Sequence, residues 1–198
     1  MADKFSTIST EGKGLVREKM SRFLSFAIHV ETPDEAMAVV KDYQNRYHDS
    51  RHVCWAYMLG TQRDIWQLND NGEPSGTAGK PILGQINSKG LTNIVVVVVR
   101  YFGGIKLGTS GLIAAYREAA RLAIEDAETV ECREMKDFRI EFAYEDMEGV
   151  MRIIKNENIG VTEREFDNIC RMRLTLPLDD FESVGAMLAG KGARIEEL

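Results

Sequence analysis

Two glycine-rich segments hold most of the residues in this sequence that can do chemistry. The first is Asn69–Pro81, N-D-N-G-E-P-S-G-T-A-G-K-P. Its glycines, Gly72, Gly76 and Gly79, permit positive φ, so successive N–H groups can turn into one concavity. Ser75 and Thr77 add hydroxyl donors, Lys80 adds a full positive charge, and Asp70 and Glu73 add carboxylates. Thr77 is placed to cap a following helix, whose N-terminus favours an anion. The second segment is Arg100–Gly111, R-Y-F-G-G-I-K-L-G-T-S-G. It supplies Arg100 and Lys106, the flexible pair Gly103 and Gly104, and two aromatic rings, Tyr101 and Phe102, able to stack on a base or sugar. A strand leading through a glycine loop into a helix is the general layout of an anion site.

The candidate site is therefore an anion cleft with two walls. Glu73, Ser75, Gly76, Thr77, Gly79 and Lys80 come from the first segment. Arg100, Tyr101, Gly103, Gly104 and Lys106 come from the second. The competing reading is that the glycines serve tight turns and close helix–sheet packing, with Tyr101 and Phe102 in the core. Neither segment is a P-loop, because Lys80 is followed by Pro81 and Lys106 by Leu107. Neither contains G-x-G-x-x-G, so a dinucleotide fingerprint is missing as well.

Evidence for catalysis is thinner. The histidines are His29, His48 and His52, and no H-E-x-x-H, G-x-S-x-G or paired-cysteine motif occurs. His52 and Cys54 share one face of a strand, but side chains two apart on a strand rarely reach hydrogen-bond distance. That pair reads as structural. Asp70 and Glu73 would hold Mg²⁺ with a phosphate ligand. The plainer reading is a turn in which Asp70 caps its own backbone. No catalytic residue, metal or cofactor is assigned, and Glu73 is the acid to test. Cys54, Cys132 and Cys170 are too scattered for a disulfide framework or a zinc knuckle and read as free thiols.

The elements that must position these segments follow from patterning. Met20–Val30 reads as a strand. Thr32 caps a helix from Pro33 to about Tyr47, with acids in its first turn. Val53–Leu59 and Ile65–Leu68 are strands, and Ala78–Asn87 is a short helix. Asn93–Tyr101 carries five consecutive valines, a run expected where both faces of a strand are buried. Ser110 then caps a helix running to Thr129. Beyond it, strand Phe138–Tyr144, helix Asp146–Glu157, strands Gly160–Phe166 and Ile169–Pro177, helix Asp179–Ala189 and strand Ala193–Glu196 give the order βαββαβ. That order is the ferredoxin-like pattern. The helix at Asp179–Ala189 takes Asp179 or Asp180 as its cap and Gly190 as its stop. The expected organisation is α+β, with an N-terminal domain over 1–132 and a C-terminal domain over 136–198.

Composition bounds the partners. Apolar residues are 44% and charged residues 28% of the 198, which suits an ordinary globular core. The net charge of −6 falls wholly on residues 131–198, and residues 1–130 balance 15 Lys/Arg against 15 Asp/Glu. A broad basic nucleic-acid footprint is excluded, so any polyanion site must be local. No apolar run approaches the roughly 20 residues needed to cross a bilayer. The polar start, Met1-Ala2-Asp3-Lys4-Phe5, has no signal-peptide core. A cytoplasmic location away from the membrane is the expectation.

The glycine-rich segments also carry a resemblance. Gly72–Pro81, G-E-P-S-G-T-A-G-K-P, and Arg100–Gly108, R-Y-F-G-G-I-K-L-G, resemble the double signature of the IMPACT family. Lys19–Phe23 and His52–Tyr57 are further matches, and with a C-terminal ferredoxin-like module the chain is similar to the bacterial, YigZ-like branch. The resemblance implies a ribosomal protein S5 domain 2-like fold for the N-terminal domain. It also implies a connection to translation, which the eukaryotic relatives regulate through a protein partner bound by regions absent here. Family members usually continue G-G-L-x-R-A-Y. Here the stretch is Thr109–Tyr116, T-S-G-L-I-A-A-Y, so Ser110 stands for a glycine and Ala114 for an arginine, a bidentate phosphate donor. The expected function is a translation-associated binding protein, its cleft gripping RNA, the ribosome or another polyanion, its acidic C-terminal domain meeting a protein partner. The alternatives are an enzyme acting on a small nucleotide or phosphorylated ligand, and an interaction scaffold without a small ligand.

Overall fold

The computed structural model describes residues 4–198; Met1–Asp3, the start of the polar N-terminal stretch, lie outside the described residues. The described residues divide into two compact units, Phe5–Cys132 and Arg133–Leu198 with Lys4, each with its own core.

The first unit opens with β1 (Lys4–Ile8), β2 (Gly12–Glu18) and β3 (Ser21–His29), followed by α1 (Pro33–Arg46). The Thr32 hydroxyl accepts the Glu35 N–H at 3.2 Å, and the Glu35 carboxylate accepts the Glu31 N–H at 2.8 Å, a reciprocal cap that fixes the helix start. Next come β4 (His52–Leu59), β5 (Ile65–Asn69), α2 (Gly79–Ser88), β6 (Ile94–Tyr101), α3 (Gly108–Asp126) and β7 (Thr129–Arg133). The main sheet has the order β2-β3-β6-β4-β5, with every neighbouring pair antiparallel.

The valine strand β6 lies at the centre, as its composition requires. Ile94, Val96 and Val98 face a core shared with α2 and α3, and Val95, Val97 and Val99 face a second core under α1. Period-2 alternation thus sends apolar side chains to both sides of one strand. α3 lies tight on β2 and β3. The buried Ser25 hydroxyl donates to the Ala119 carbonyl at 2.6 Å, and a Cβ at Gly12 would run into the backbone of Ala123.

Three strands escape the sequence reading. β1 and β2 have weak alternation, and β7 runs through polar residues between the end of the expected α3 helix and the domain boundary; β1 and β7 pair as a separate two-stranded sheet. α3 begins at Gly108, so Ser110 sits inside its first turn and not at the cap, and Thr129 belongs to β7.

The second unit contains β8 (Met135–Phe142), α4 (Met147–Asn156), β9 (Gly160–Phe166), β10 (Cys170–Pro177), α5 (Phe181–Ala189) and β11 (Arg194–Glu197), in the expected βαββαβ order. Its sheet runs β11-β8-β10-β9, antiparallel throughout. Asp180 stands at the cap position of α5, as expected, but at the end of a 3-10 turn and without a side-chain cap hydrogen bond, and Gly190 closes the helix in ordinary right-handed geometry. One face of the sheet joins α4 and α5 in a core. The other face carries ion pairs, among them Arg171–Glu141 at 2.7 Å and Arg173–Asp137 at 3.2 Å. The chain is α+β throughout, and among the described residues no helix is long and apolar enough to cross a membrane.

Candidate functional site

The first glycine-rich segment leaves β5 through a tight turn. Asn71 and Gly72 take φ of +43° and +81°, and the Asn69 side chain accepts the Asn71 N–H at 2.7 Å. The concavity that follows is filled from within. The Asp70 carboxylate accepts the N–H of Gly76 at 2.8 Å, of Ala78 at 3.0 Å and of Gly79 at 2.8 Å. An aspartate of the chain therefore occupies the nest and the start of α2, the place a ligand anion would take. Thr77 does not cap α2: its hydroxyl donates to the Pro74 carbonyl at 2.6 Å.

Glu73, three residues on, turns inward and is buried. Its Oε1 accepts from Arg100 Nη1 at 2.6 Å and from the Tyr116 hydroxyl at 2.8 Å, and His52 Nε2 lies 3.8 Å away. β4, the first loop, β6 and α3 thus meet at one carboxylate. His52 Nδ1 sits 2.8 Å from the Asn71 carbonyl oxygen, which can only accept, so Nδ1 carries a proton. Cys54 Sγ lies 2.9 Å from the Asp70 carbonyl oxygen and 3.3 Å from the Tyr116 hydroxyl. Burial, with the carboxylates of Glu73 and Asp70 adding to it, pushes the Cys54 thiol far above its ordinary range, which suits a packed donor and not a nucleophile. Burial, then Cys54 and Glu73, pushes the Tyr116 hydroxyl up in the same way. One buried carboxylate and the donors around it hold the two segments and the sheet in register.

The second segment presents an open cavity. It has a volume of about 430 Å³ and runs from Arg51, His52, Glu73 and Arg100 to Phe102, Lys106 and the first residues of α3, Gly108 and Thr109. The first N–H groups of an α-helix have no partner within the helix. At α3 the preceding residue, Leu107, gives no side-chain cap, and the first turn has no acid. Arg100, which lines this cavity, is only 5% exposed, and its Nε–H has no hydrogen-bond partner.

The predicted cleft residues are only partly brought together. Glu73, Arg100 and Lys106 line this cavity. Gly76 and Lys80 line a different hollow, with Ile113 and Arg117 across from them. Ser75 is exposed at the loop surface, and Thr77 and Gly79 are buried under it. Tyr101 donates to Asp49 at 2.7 Å, and its ring is covered by Arg22. Gly103 donates to Ser21 Oγ at 3.2 Å, and Gly104 makes the turn beyond it with φ +89°.

Residues 19–124 match the Impact N-terminal domain. The chain belongs to the IMPACT family. It is 32% identical to the IMPACT family member YigZ of Escherichia coli over 173 residues, 86% of this chain and 85% of that one. It is equally identical to an IMPACT family member of Haemophilus influenzae over 177 residues, 88% and 86% of the two chains. A crystal structure of an hypothetical protein superimposes with a TM-score of 0.77 at 26% identity, covering 100% of this chain and 98% of the other. The IMPACT match spans both loops, the buried Glu73–Arg100–Tyr116 cluster and the start of α3.

Arg51 and Tyr116 were not singled out by sequence reasoning. Tyr116 has the spacing of a core residue on α3, and that is also true of it, since it packs edge-on against Phe23. Only its hydroxyl reaches Glu73. Arg51 precedes a strand and carries no motif; its one signal is adjacency to His52.

Proposed function

We propose that the chain is a translation-associated binding protein of the cytoplasm, whose cavity at the start of α3 grips phosphate groups of RNA or of another polyanion. The observation that carries this reading is the uncapped first turn of α3 opening on a cavity lined by Arg51 and Lys106. Oriented N–H groups and two exposed cations form a phosphate site without requiring a basic surface. The family supports the connection to translation, through the relation to eukaryotic members. On this reading the first unit has the ribosomal protein S5 domain 2-like fold and the second the ferredoxin-like fold. The sheet order β11-β8-β10-β9 with both helices on one face supports the latter. The second unit, acidic and with its open sheet face self-neutralised by ion pairs, is suited to a protein partner.

The test is a titration of the full chain with single-stranded RNA, and with ribosomes by co-sedimentation, between about 50 and 200 mM salt. Affinity should fall with salt, because each neutralised phosphate releases counterions. Arg51→Glu with Lys106→Glu should weaken binding by about tenfold or more, one unit of 1.4 kcal/mol. Lys80→Glu, in the other hollow, should change it far less. Absence of binding at low salt, or equal losses from both substitutions, would remove the reading.

A further inference from the structure

The cavity at the start of α3 has an aromatic wall as well as a cationic one. Phe102 is 46% exposed and lines the cavity between Arg100 and Lys106. The Arg100 guanidinium carbon lies 5.4 Å from the Phe102 ring centroid and 5.4 Å from that of Phe23, so the cation is packed against both rings. Phe23 is fully buried, so this group anchors Phe102 to the core. The rest of the ring is left to the solvent.

That exposure is enforced by the backbone. Gly103, the next residue, donates to Ser21 Oγ, and a Cβ there would collide with the backbone of Met20. The loop is thus pressed against the β2–β3 turn and fixes where Phe102 stands. An aromatic ring held half out of the core by its own neighbours is preorganised for contact, and the ordering cost on binding is small. Pro74, Leu107 and Leu112 add apolar lining to the same cavity as Arg51 and Lys106.

Resting on the phosphate-site reading above, we propose that the unit recognised here is one nucleoside phosphate. Its phosphate lies against the first N–H groups of α3 with Lys106 and Arg51, and its base stacks on Phe102. Three observations select this ligand over a bare phosphate or a long backbone track. The cavity volume of about 430 Å³ is that of a small-ligand site. Arg100, which lines the cavity and is satisfied at Nη1 by Glu73, keeps a buried Nε–H without a hydrogen-bond partner. Lys80 and Arg117 line a separate hollow, and Arg22 is engaged over the Tyr101 ring. A free nucleotide and the phosphorylated end of an RNA strand offer the same chemistry, and either is a source.

The experiment is calorimetric titration of the full chain with inorganic phosphate, with adenosine monophosphate, and with a short oligoribonucleotide bearing either a 5′-phosphate or a 5′-hydroxyl. Stacking on one aromatic side chain is worth about 1–3 kcal/mol, so the nucleotide should bind about fivefold or more tightly than inorganic phosphate. Phe102→Ala should erase that advantage and leave phosphate binding in place, whereas Phe102→Trp should restore it. Lys106→Ala should weaken both ligands. A strand-end ligand would make the 5′-phosphorylated oligonucleotide match the nucleotide and the 5′-hydroxyl form fall behind; a free-nucleotide ligand would leave both oligonucleotides weak. The salt dependence should correspond to about one or two phosphates. Equal affinity for phosphate and nucleotide, or a Phe102→Ala variant that keeps the difference, overturns the proposal while the polyanion reading stands. If Phe102→Ala spares nucleotide binding but abolishes association with a protein, the ring is a protein contact and the proposal fails. Failure of every phosphate-bearing ligand to bind overturns both readings.

Discussion

The glycine loop before α2 and the glycine loop before α3 have the same layout in the sequence and opposite states in the fold. In the first, Asp70 folds back over its own loop and accepts three backbone N–H groups, so the anion position is taken by the chain itself. In the second, Leu107 provides no cap, the first turn has no acid, and Arg51 and Lys106 border the space. The lesson is that glycines followed by a helix define the geometry of an anion site but not its occupancy. Occupancy depends on whether a carboxylate stands within reach upstream. Asp70, six to nine residues before the amides it caps, satisfies that condition; the residues leading into α3 are Arg100, Tyr101, Phe102 and Lys106, with no acid among them. The two loops are tied at Glu73, whose carboxylate belongs to the first segment and whose partner Arg100 begins the second.

The largest expected effect breaks that tie. Arg100→Met strands a buried carboxylate and should cost about 3–5 kcal/mol, with Glu73→Gln added to it recovering a substantial part. Denaturant unfolding followed by tryptophan fluorescence checks this, because both tryptophans, Trp55 and Trp66, lie in the Phe5–Cys132 unit. A double variant no more stable than the single one would mean that Arg100 acts through packing alone. Next in size is Asp70→Ala, which leaves three loop N–H groups without their acceptor and should cost about 2–3 kcal/mol. If the nest is a true anion position, phosphate added to this variant should return part of the lost midpoint, and more than it adds to the parent chain. The smallest effect sharpens the contrast from the other side. Ser110→Asp places an acid in the first turn of α3, imitating what Asp70 does for α2. It should raise stability by about 0.3–1 kcal/mol and at the same time lower phosphate affinity at the α3 cavity. Unchanged phosphate binding in that variant would locate the anion elsewhere.

Much of the fold is legible from patterning. The valine run of β6 demanded cover on both faces and has it. The Thr32-Pro33 start, the βαββαβ order of the second unit and the two glycine loops are all where the residue pattern puts them. The failures share a cause. β1, β2 and β7 are short or polar strands: β1 and β7 pair with each other from opposite ends of the first unit, and β2, though joined to β3 by a tight turn, is packed through its glycines against the distant α3, so their local signal is faint. Thr77 and Ser110 were read as helix caps because their residue type favours that position. In the fold the Pro74 carbonyl takes the Thr77 hydroxyl, and α3 begins two residues before Ser110. The site was legible in its residue types and in its spacing along the chain, but not in its direction: Arg100 reads as a free cation and is a buried partner of Glu73, and Lys80 faces a different hollow from Lys106.

By itself the sequence determined the family, the α+β class, the central strand and the two loops, because these depend on residue type, periodicity and spacing, which act over a few residues at a time. Only the tertiary structure decided which loop fills its own nest, that Tyr116 from α3 and His52 from β4 converge on Glu73, and that Phe102 stands half-exposed beside Lys106. Those outcomes rest on contacts whose partners lie from six to more than forty residues apart. A hydrogen bond or an ion pair of that kind is fixed by a difference of a few ångströms in the packed molecule, and no local rule of the chain carries that distance.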